Sequence, residues 1–435
     1  MPHQVTRRRF LQQSAALAAA AALPATLPAA DKKGPPSERV NVGVVGVAGQ
    51  GAYDLGQVAA GGANIVALCD VHTSRADAAR KQFPEAKFYQ DFRRVMDHTD
   101  IDAVVIATPD HMHAIPAVTA MRSGKHVYCE KPLAHSVHEV RVMMDLAARN
   151  KLVTQMGTQI HAENNYRRVV EIVQSGILGP VRRVQVWCAK QPSPEKMLSK
   201  TPVPVPSDLD YNLWLGPAPA RPYDPAFLPF HWRWWWDFGG GILADMACHY
   251  MDLAHWALDL RTPLTVEATG KKVREADYDV PDLLQADYRY PSRDMQPEVH
   301  LTWYSGVPGP DLGIQAPYEG LRDGTLFEGE KGKLVADYDN YTLLPENEFK
   351  DFTPPKQTIP PSIGHHKEWL EAIKHNGPTT CNFAYSGALA ETVLLGNVAF
   401  RSGQKIVWDD KAGKATNTGE ADRYLQRVYR KGWQL

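Results

Sequence analysis

The stretch between Arg39 and Asp70 constrains this chain most. Arg39 to Gly46 carries Val40, Val42, Val44 and Val45 among small and polar residues, then runs into Gly46-Val47-Ala48-Gly49-Gln50-Gly51. A second apolar run, 64 to 69, ends on Asp70, nineteen residues after Gly51. A buried strand that turns on glycine into a helix, followed by a strand tipped with an acid, is the signature of a dinucleotide-binding βαβ unit. The first glycine makes the tight turn, the second admits backbone close to a pyrophosphate, and the third lets helix and strand pack. Ala48 holds the second place; its methyl narrows that approach, while Gly49 beside it restores backbone freedom. Gly46, Ala48, Gly49, Gln50 and Gly51 are therefore the expected cofactor cradle. Asp70 stands where a carboxylate accepts hydrogen bonds from the adenosine ribose and repels a 2′-phosphate, which favours NAD over NADP. A helix-capping or solvated aspartate is the competing account.

The alternation continues. Asp102 to Thr108 (DAVVIAT) reads as a third strand, Lys125 to Cys129 as another, and Leu152 to Met156 as the strand that closes the sheet. Ser136-x-x-Glu139 is a capping box for a helix with Val140, Met143, Met144 and Ala147 at helical spacing. Strands alternating with helices imply a parallel sheet, whose sites lie beyond the carboxyl ends of the strands. There fall the glycine turn, Asp70, Thr108 and Pro109 through His113, and Glu130-Lys131-Pro132. Thr108, Pro109, His113, Glu130 and Lys131 thus join the cofactor-side candidates.

The strand end HVYCEKP, after ATPDHMH and the glycine turn, resembles the Gfo/Idh/MocA family of oxidoreductases. Later segments agree in kind and order: GTQIHAENNYRRVVEIVQSGILGPV (157 to 181), GGGILADMACH (239 to 249) and HHKEWLEAIK (365 to 374). The resemblance spans the whole mature chain. It implies an α/β fold with an N-terminal Rossmann domain of parallel strands (39–156). A C-terminal α/β domain (157–435) with a large open, mostly antiparallel sheet for substrate binding and oligomerisation would follow. It also implies NAD(P)-dependent chemistry on sugars or polyols, and a homo-oligomer, dimer or tetramer, is expected.

Removing a hydride from a carbinol requires that the hydroxyl proton leave through a positioned base, work that a lysine and a histidine can share. Lys131 can donate to the substrate oxygen and stabilise a developing alkoxide, with partial desolvation expected to lower its pKa. Asp245, His249 and Asp252 share one face of a helical segment, where they can meet a common ligand. His249, with a reference pKa near ~6.5, is the better base, and Asp245 one turn away can orient it or bind a sugar hydroxyl. The resemblance implies that this D-x-x-x-H pair and the lysine surround the reacting carbon. Asp252 reads equally as a solvated or capping charge. Gly239 to Gly241 would allow close approach to a ligand, or form a plain loop. Among His231, Trp232, Trp234, Trp235 and Trp236, flat indoles offer stacking surfaces for a sugar, though about half of such a run is core filling. Trp235 and Trp236 are the candidates, with Gln159, His161 and Tyr166, and with His111 and His113 near the nicotinamide or substrate. No H-E-x-x-H or C-x-x-C spacing specifies a metal.

Ahead of all this stand Thr6-Arg7-Arg8-Arg9-Phe10-Leu11 and an alanine-rich run too short to span a bilayer, which resemble a twin-arginine signal. Residues 1–30 are read as that signal and 31–38 as a linker, giving a periplasmic protein exported folded around its cofactor. With 44% hydrophobic residues, 22% charged and a net charge of -1, nothing points to nucleic acid or to a membrane span. Five scattered cysteines read as buried thiols rather than disulfides. The Pro-rich stretch from Gln191 to Pro229 is either a substrate-side loop or an oligomer arm. Three functions compete: a dehydrogenase or sugar–sugar oxidoreductase, a redox-neutral glycosidase that oxidises and re-reduces one sugar around an elimination, and a non-catalytic sugar-binding module. Export favours cofactor recycling within each turnover, and no carboxylate pair has readable spacing for ordinary hydrolysis.

Overall fold

The computed structural model describes residues 39–190, 198–293, 296–305, 318 and 320–435; the expected signal and linker lie outside them. Six strands form the first sheet: β1 (Asn41–Val45), β2 (Asn64–Cys69), β3 (Lys87–Tyr89), β4 (Ala103–Ile106), β5 (His126–Glu130) and β6 (Thr154–Gly157). Their order is β3-β2-β1-β4-β5-β6, and every pair is parallel. β1 and β4 bury nearly every residue because helices cover both faces, which is why they read as continuous apolar runs. The order reverses between β1 and β4, and that reversal opens a crevice at the carboxyl ends of the strands. β3 escaped the sequence reading because three partly exposed residues carry no alternation. The capping box forms as expected: Ser136 Oγ accepts from Glu139 N, and the Glu139 carboxylate accepts from Ser136 N, opening the helix Val137–Arg149.

The second sheet has nine strands: β7 (Val181–Cys188), β8 (Thr265–Lys271), β9 (Leu283–Tyr290), β10 (Val299–Ser305), β11 (Asp323–Gly329), β12 (Lys333–Ala336), β13 (Tyr341–Leu344), β14 (Ile406–Asp409) and β15 (Lys414–Ala415). They run in the order β13-β12-β11-β7-β10-β9-β8-β14-β15, with only β7 and β10 parallel. Helix Gly241–Ala257 packs on β7 and β11, and helix Phe383–Ser402 packs on β8. The latter is long and apolar enough to cross a membrane, but it is buried inside the protein against helices Gly241–Ala257 and Val137–Arg149.

The chain then returns to the first sheet. Trp369, Leu370 and Ala372 of helix His365–His375 join Val42, Val44, Leu68 and Val105 in one apolar cluster, so this late helix covers a face of the dinucleotide-type sheet. The C-terminal tail does the same elsewhere: Arg427 and Tyr429 donate to buried Glu139, and Trp433 stacks on Phe92. All five cysteines are buried and unbridged.

Candidate active site

A cavity of about 520 Å³ runs from the glycine turn to His249. At its first end, Gly46 has φ 84°, and a Cβ there would lie 2.6 Å from Ala107 O, so only glycine fits this turn. Gly49, φ 60°, opens helix Gln50–Ala60, and a Cβ there would meet only the end of Arg75 at 3.9 Å, which leaves backbone room for a pyrophosphate despite the methyl of Ala48. At Gly51 a Cβ would overlap Gly46 O, the close packing expected of the third glycine. Asp70 accepts from Val47 N (3.2 Å) and His72 N (3.0 Å), so it braces the turn as well as bordering the cavity. Burial pushes its carboxyl above the usual range. Arg75, which the sequence reading passed over, lines the same end.

Thr108, Pro109, His113, Glu130 and Gln159 line the middle. His113 is buried between two carbonyls, with Nδ1 2.7 Å from Pro132 O and Nε2 2.8 Å from Thr108 O; its neutral ring donates to one of them, at the ends of β4 and β5. Glu130 accepts from Gln159 Nε2 (2.6 Å) and Gln50 Nε2 (3.3 Å), and Gln50 also donates to Asp54, which faces His366 at 2.9 Å. Burial raises Glu130 to about 8 and Asp54 to about 7. An acid raised in this way is destabilising once ionised, so its cost is absent below the unfolded pKa and grows as pH climbs to the folded value. Stability is therefore expected to fall from about pH 5 to about pH 8, and Glu130→Gln to flatten that fall. Thermal denaturation at several pH values and fixed NAD checks this, and an unchanged slope would show that Glu130 is not the titrating group.

At the far end, Lys131 Nζ donates to Asp245 O (2.5 Å) and to Asp245 Oδ1 (2.9 Å). Arg233 Nε reaches the same Oδ1 at 3.0 Å, and Lys190 Nζ donates to Oδ2. Burial alone would raise the Asp245 carboxyl, but Lys131, Arg233 and Lys190 hold it well below the usual range. Burial alone would lower Lys131; Asp245 and Glu130 outweigh that, and its pKa rises instead. This corrects the expected depressed lysine: Lys131 is a fixed cation and hydrogen-bond donor. Asp245 and His249 do stand one turn apart on helix Gly241–Ala257, yet Asp245 binds the three cations and makes no hydrogen bond to His249. Burial and Lys131 push His249 down to about 3, so its imidazole is neutral, and its Nδ1 has no hydrogen-bond partner.

Several expectations are corrected by packing. Asp252 is neither solvated nor a cap; it is buried, accepting from His161 Nδ1 (2.9 Å) and Tyr385 Oη (2.7 Å) away from the cavity. His161 is sealed between that carboxylate and a stacked Trp256, at 3.9 Å between ring centroids. Tyr166 is buried and donates to His249 O, so it supports the helix from behind. His111 is buried against Trp214 O. Trp235 is core, edge-on to Phe227, and half-buried Trp236 lies beside Phe400 and Arg401; neither lines the cavity. Phe230 and Trp232 line it instead, with Arg233 over both rings at 4.2 and 4.1 Å. Gly239 serves this turn: a Cβ there would lie 2.7 Å from Arg233 Cα, while Gly240 faces the Ala244 and Asn397 side chains and Gly241 faces Val280, so the run makes room for protein at all three positions. Within the Pro-rich stretch, Leu213, Trp214, Leu228 and Pro229 line the cavity, which places that part on the substrate side; residues 191–197 lie outside the described residues. Arg233 and Lys190 were missed from sequence. Arg233 sits inside HWRWWW, where the aromatics drew the reading, and Lys190 after β7 carries no motif at all.

A reversed-order parallel sheet with a glycine turn, an acid after β2 and a lysine after β5 defines a dinucleotide-binding two-part α/β protein. Residues 40–158 match the oxidoreductase family Gfo/Idh/MocA, NAD-binding Rossmann fold, and residues 162–291 match its C-terminal alpha/beta domain. The chain belongs to the Gfo/Idh/MocA oxidoreductase family. It is 31% identical over 144 residues to inositol 2-dehydrogenase of Salmonella typhimurium, 32% of this chain and 43% of that protein. It is 29% identical over 203 residues to alpha-N-acetylgalactosaminidase of Shewanella oneidensis, 41% of this chain and 44% of that protein. These matches span less than half the length of the curated relatives. The crystal structure of aldose-aldose oxidoreductase from Caulobacter crescentus, complexed with glycerol, shares the fold with a TM-score of 0.59. It is 16% identical and covers 85% of this chain and 100% of that one.

Proposed function

We propose that the protein is an exported, NAD-dependent oxidoreductase acting on a hydroxyl-bearing carbon of a carbohydrate or polyol. The observation that carries this reading is Lys131, which lines the cavity that joins the glycine turn to His249 and is held there by Asp245. Gly46, Ala48, Gly49 and Gln50 would hold the pyrophosphate of NAD, Asp70 the adenosine ribose, and Thr108, Pro109, His113 and Glu130 the nicotinamide end. When bound, NAD supplies a hydride acceptor and, afterwards, a hydride donor. Lys131 donates to the substrate oxygen and stabilises the charge that develops there. His249, neutral and facing the cavity, accepts the hydroxyl proton. Asp245 keeps Lys131 charged and in place, and Gln159 holds Glu130 and borders the substrate. A non-catalytic sugar-binding module would have no use for a lysine fixed in this way.

A redox-neutral cycle is the second reading. Net oxidation outside the cytoplasm would strand NADH, whereas a hydride returned within each turnover needs no outlet. The names of the relatives span both kinds of chemistry, a polyol dehydrogenase and a glycosidase.

Purified protein is expected to release near-stoichiometric NAD on denaturation, and Asp70→Ala to weaken that retention and relax discrimination against NADP. A protein without measurable affinity for either nucleotide would remove the central reading. With substrate deuterated at the reacting carbon, the label is expected in product with no accumulation of free NADH. Glycoside cleavage with solvent exchange of the neighbouring proton selects the glycosidase, and label passing between two intact sugars selects transhydrogenation. Steady release of NADH restores the ordinary dehydrogenase.

A further inference from the structure

We infer that the substrate is an anionic sugar, one carrying a carboxylate, phosphate or sulfate group that docks on Lys190 and Arg233. The inference rests on the proposed function and specifies its substrate. Three cations, Lys131, Lys190 and Arg233, converge on a single carboxylate, Asp245. The balance leaves two positive charges in excess, at side chains that are 12%, 33% and 18% exposed. Like charges gathered in a partly desolvated cleft repel, and one carboxylate cannot offset all three. The other acids of the cavity, Glu130 and Asp110, form no ion pair with Lys131, Lys190 or Arg233, and burial raises both carboxyls, so at neutral pH they offset only part of the excess.

The donors are also aimed and rigid. Arg233 lies over Phe230 and Trp232, which fix its plane, while Nε is used on Asp245 and Nη1 on Phe230 O. A guanidinium held in this way presents its remaining N–H groups in a fixed fork suited to a planar or tetrahedral oxyanion. Lys190 lies 5.2 Å from the centre of the Phe230 ring and touches Asp245 Oδ2 and Met246 Sδ, leaving a donor for a ligand. The pyrophosphate of a dinucleotide does not account for these charges, because its cradle is the glycine turn at the opposite end of the cavity. An anionic group here would have a second effect: Lys131 and Lys190 help hold the His249 imidazole low, and a nearby negative charge raises it toward a working base.

The test is calorimetric titration of the NAD-loaded protein at low salt with glucose, glucuronate, glucose 6-phosphate and glucose 6-sulfate. At least one charged sugar is expected to bind about tenfold or more tightly than glucose, and Lys190→Met and Arg233→Met each to remove about tenfold of that preference. Which charged probe binds best identifies the anion class. No preference for any charged probe, or a preference that survives both substitutions, overturns the inference. NAD content, assayed on the same preparation, separates the two readings. Retained NAD with neutral sugars bound equally well defeats this inference alone, whereas absent NAD affinity defeats the proposed function.

Discussion

Lys131→Met is expected to lower turnover by about two to four orders of magnitude while NAD stays bound. The side chain has two partners and both belong to Asp245, its carbonyl oxygen and its Oδ1. Held against a carboxylate in a buried place, the ammonium cannot give up its charge near neutral pH, so its contribution is electrostatic: it meets the oxygen on which negative charge grows as the hydride leaves. Methionine keeps most of the length and volume and loses the charge and the donors. The glycine turn and Asp70 are untouched, so cofactor retention should be unchanged. His249→Ala is expected to cost about a hundredfold or more for the loss of the proton acceptor. Turnover numbers and NAD content of the two variants decide both roles. Normal turnover in either removes its assignment, and loss of NAD would place that residue against the cofactor instead.

The dinucleotide half was legible because its constraints are local. A strand buried on both faces must be apolar throughout, a turn at φ 84° must be glycine, and a capping box declares a helix start within four residues. Lys131 came from its motif, and Asp245 with His249 from the i,i+4 spacing of one helix. What failed depends on contacts that spacing does not encode. Helical periodicity put Asp245, His249 and Asp252 on one face, but a face is wide. Asp252 turns to His161 and Tyr385 while Asp245 turns to Lys131, Lys190 and Arg233. The partners of Asp245 arrive from three other segments: the end of β5, the end of β7 and the turn His231–Trp234. No local pattern announces that convergence, so spacing alone has Asp245 orient the histidine or bind a sugar hydroxyl, whereas its contacts are with cations. In the aromatic run, five large residues crowd a short turn and its exit. Which rings face a cavity depends on how Gly239 lets that turn seat, a long-range fact.

Removing the central carboxylate should therefore cost more than removing any cation around it. Asp245→Ala leaves Lys131, Lys190 and Arg233 facing one another without a counter-charge, the situation in which a broken buried pair costs about 3–5 kcal/mol. The expected result is a fall in thermal midpoint of several degrees, roughly as such a loss implies for a large domain, together with loss of turnover. Asp245→Asn separates charge from geometry: it still accepts hydrogen bonds but cannot neutralise, so it should lose stability while preserving more of the local arrangement. The sign with pH follows from the depressed carboxyl. Its stabilisation is fully present above the unfolded value near ~4 and is lost as pH falls through the lower folded value, so the wild type should be more sensitive to acid than Asp245→Ala. Adding Arg233→Met to Asp245→Ala should recover part of the stability, because one of the repelling charges is gone, whereas the same substitution in the wild type should not stabilise. Melting curves of the wild type, Asp245→Ala, Arg233→Met and the double variant at about pH 7 form a double-mutant cycle, and a second set at about pH 3, below the unfolded value, reads the loss with acid. An Asp245→Ala protein that melts with the wild type at neutral pH would show that the three cations find other partners and that Asp245 does not organise the site.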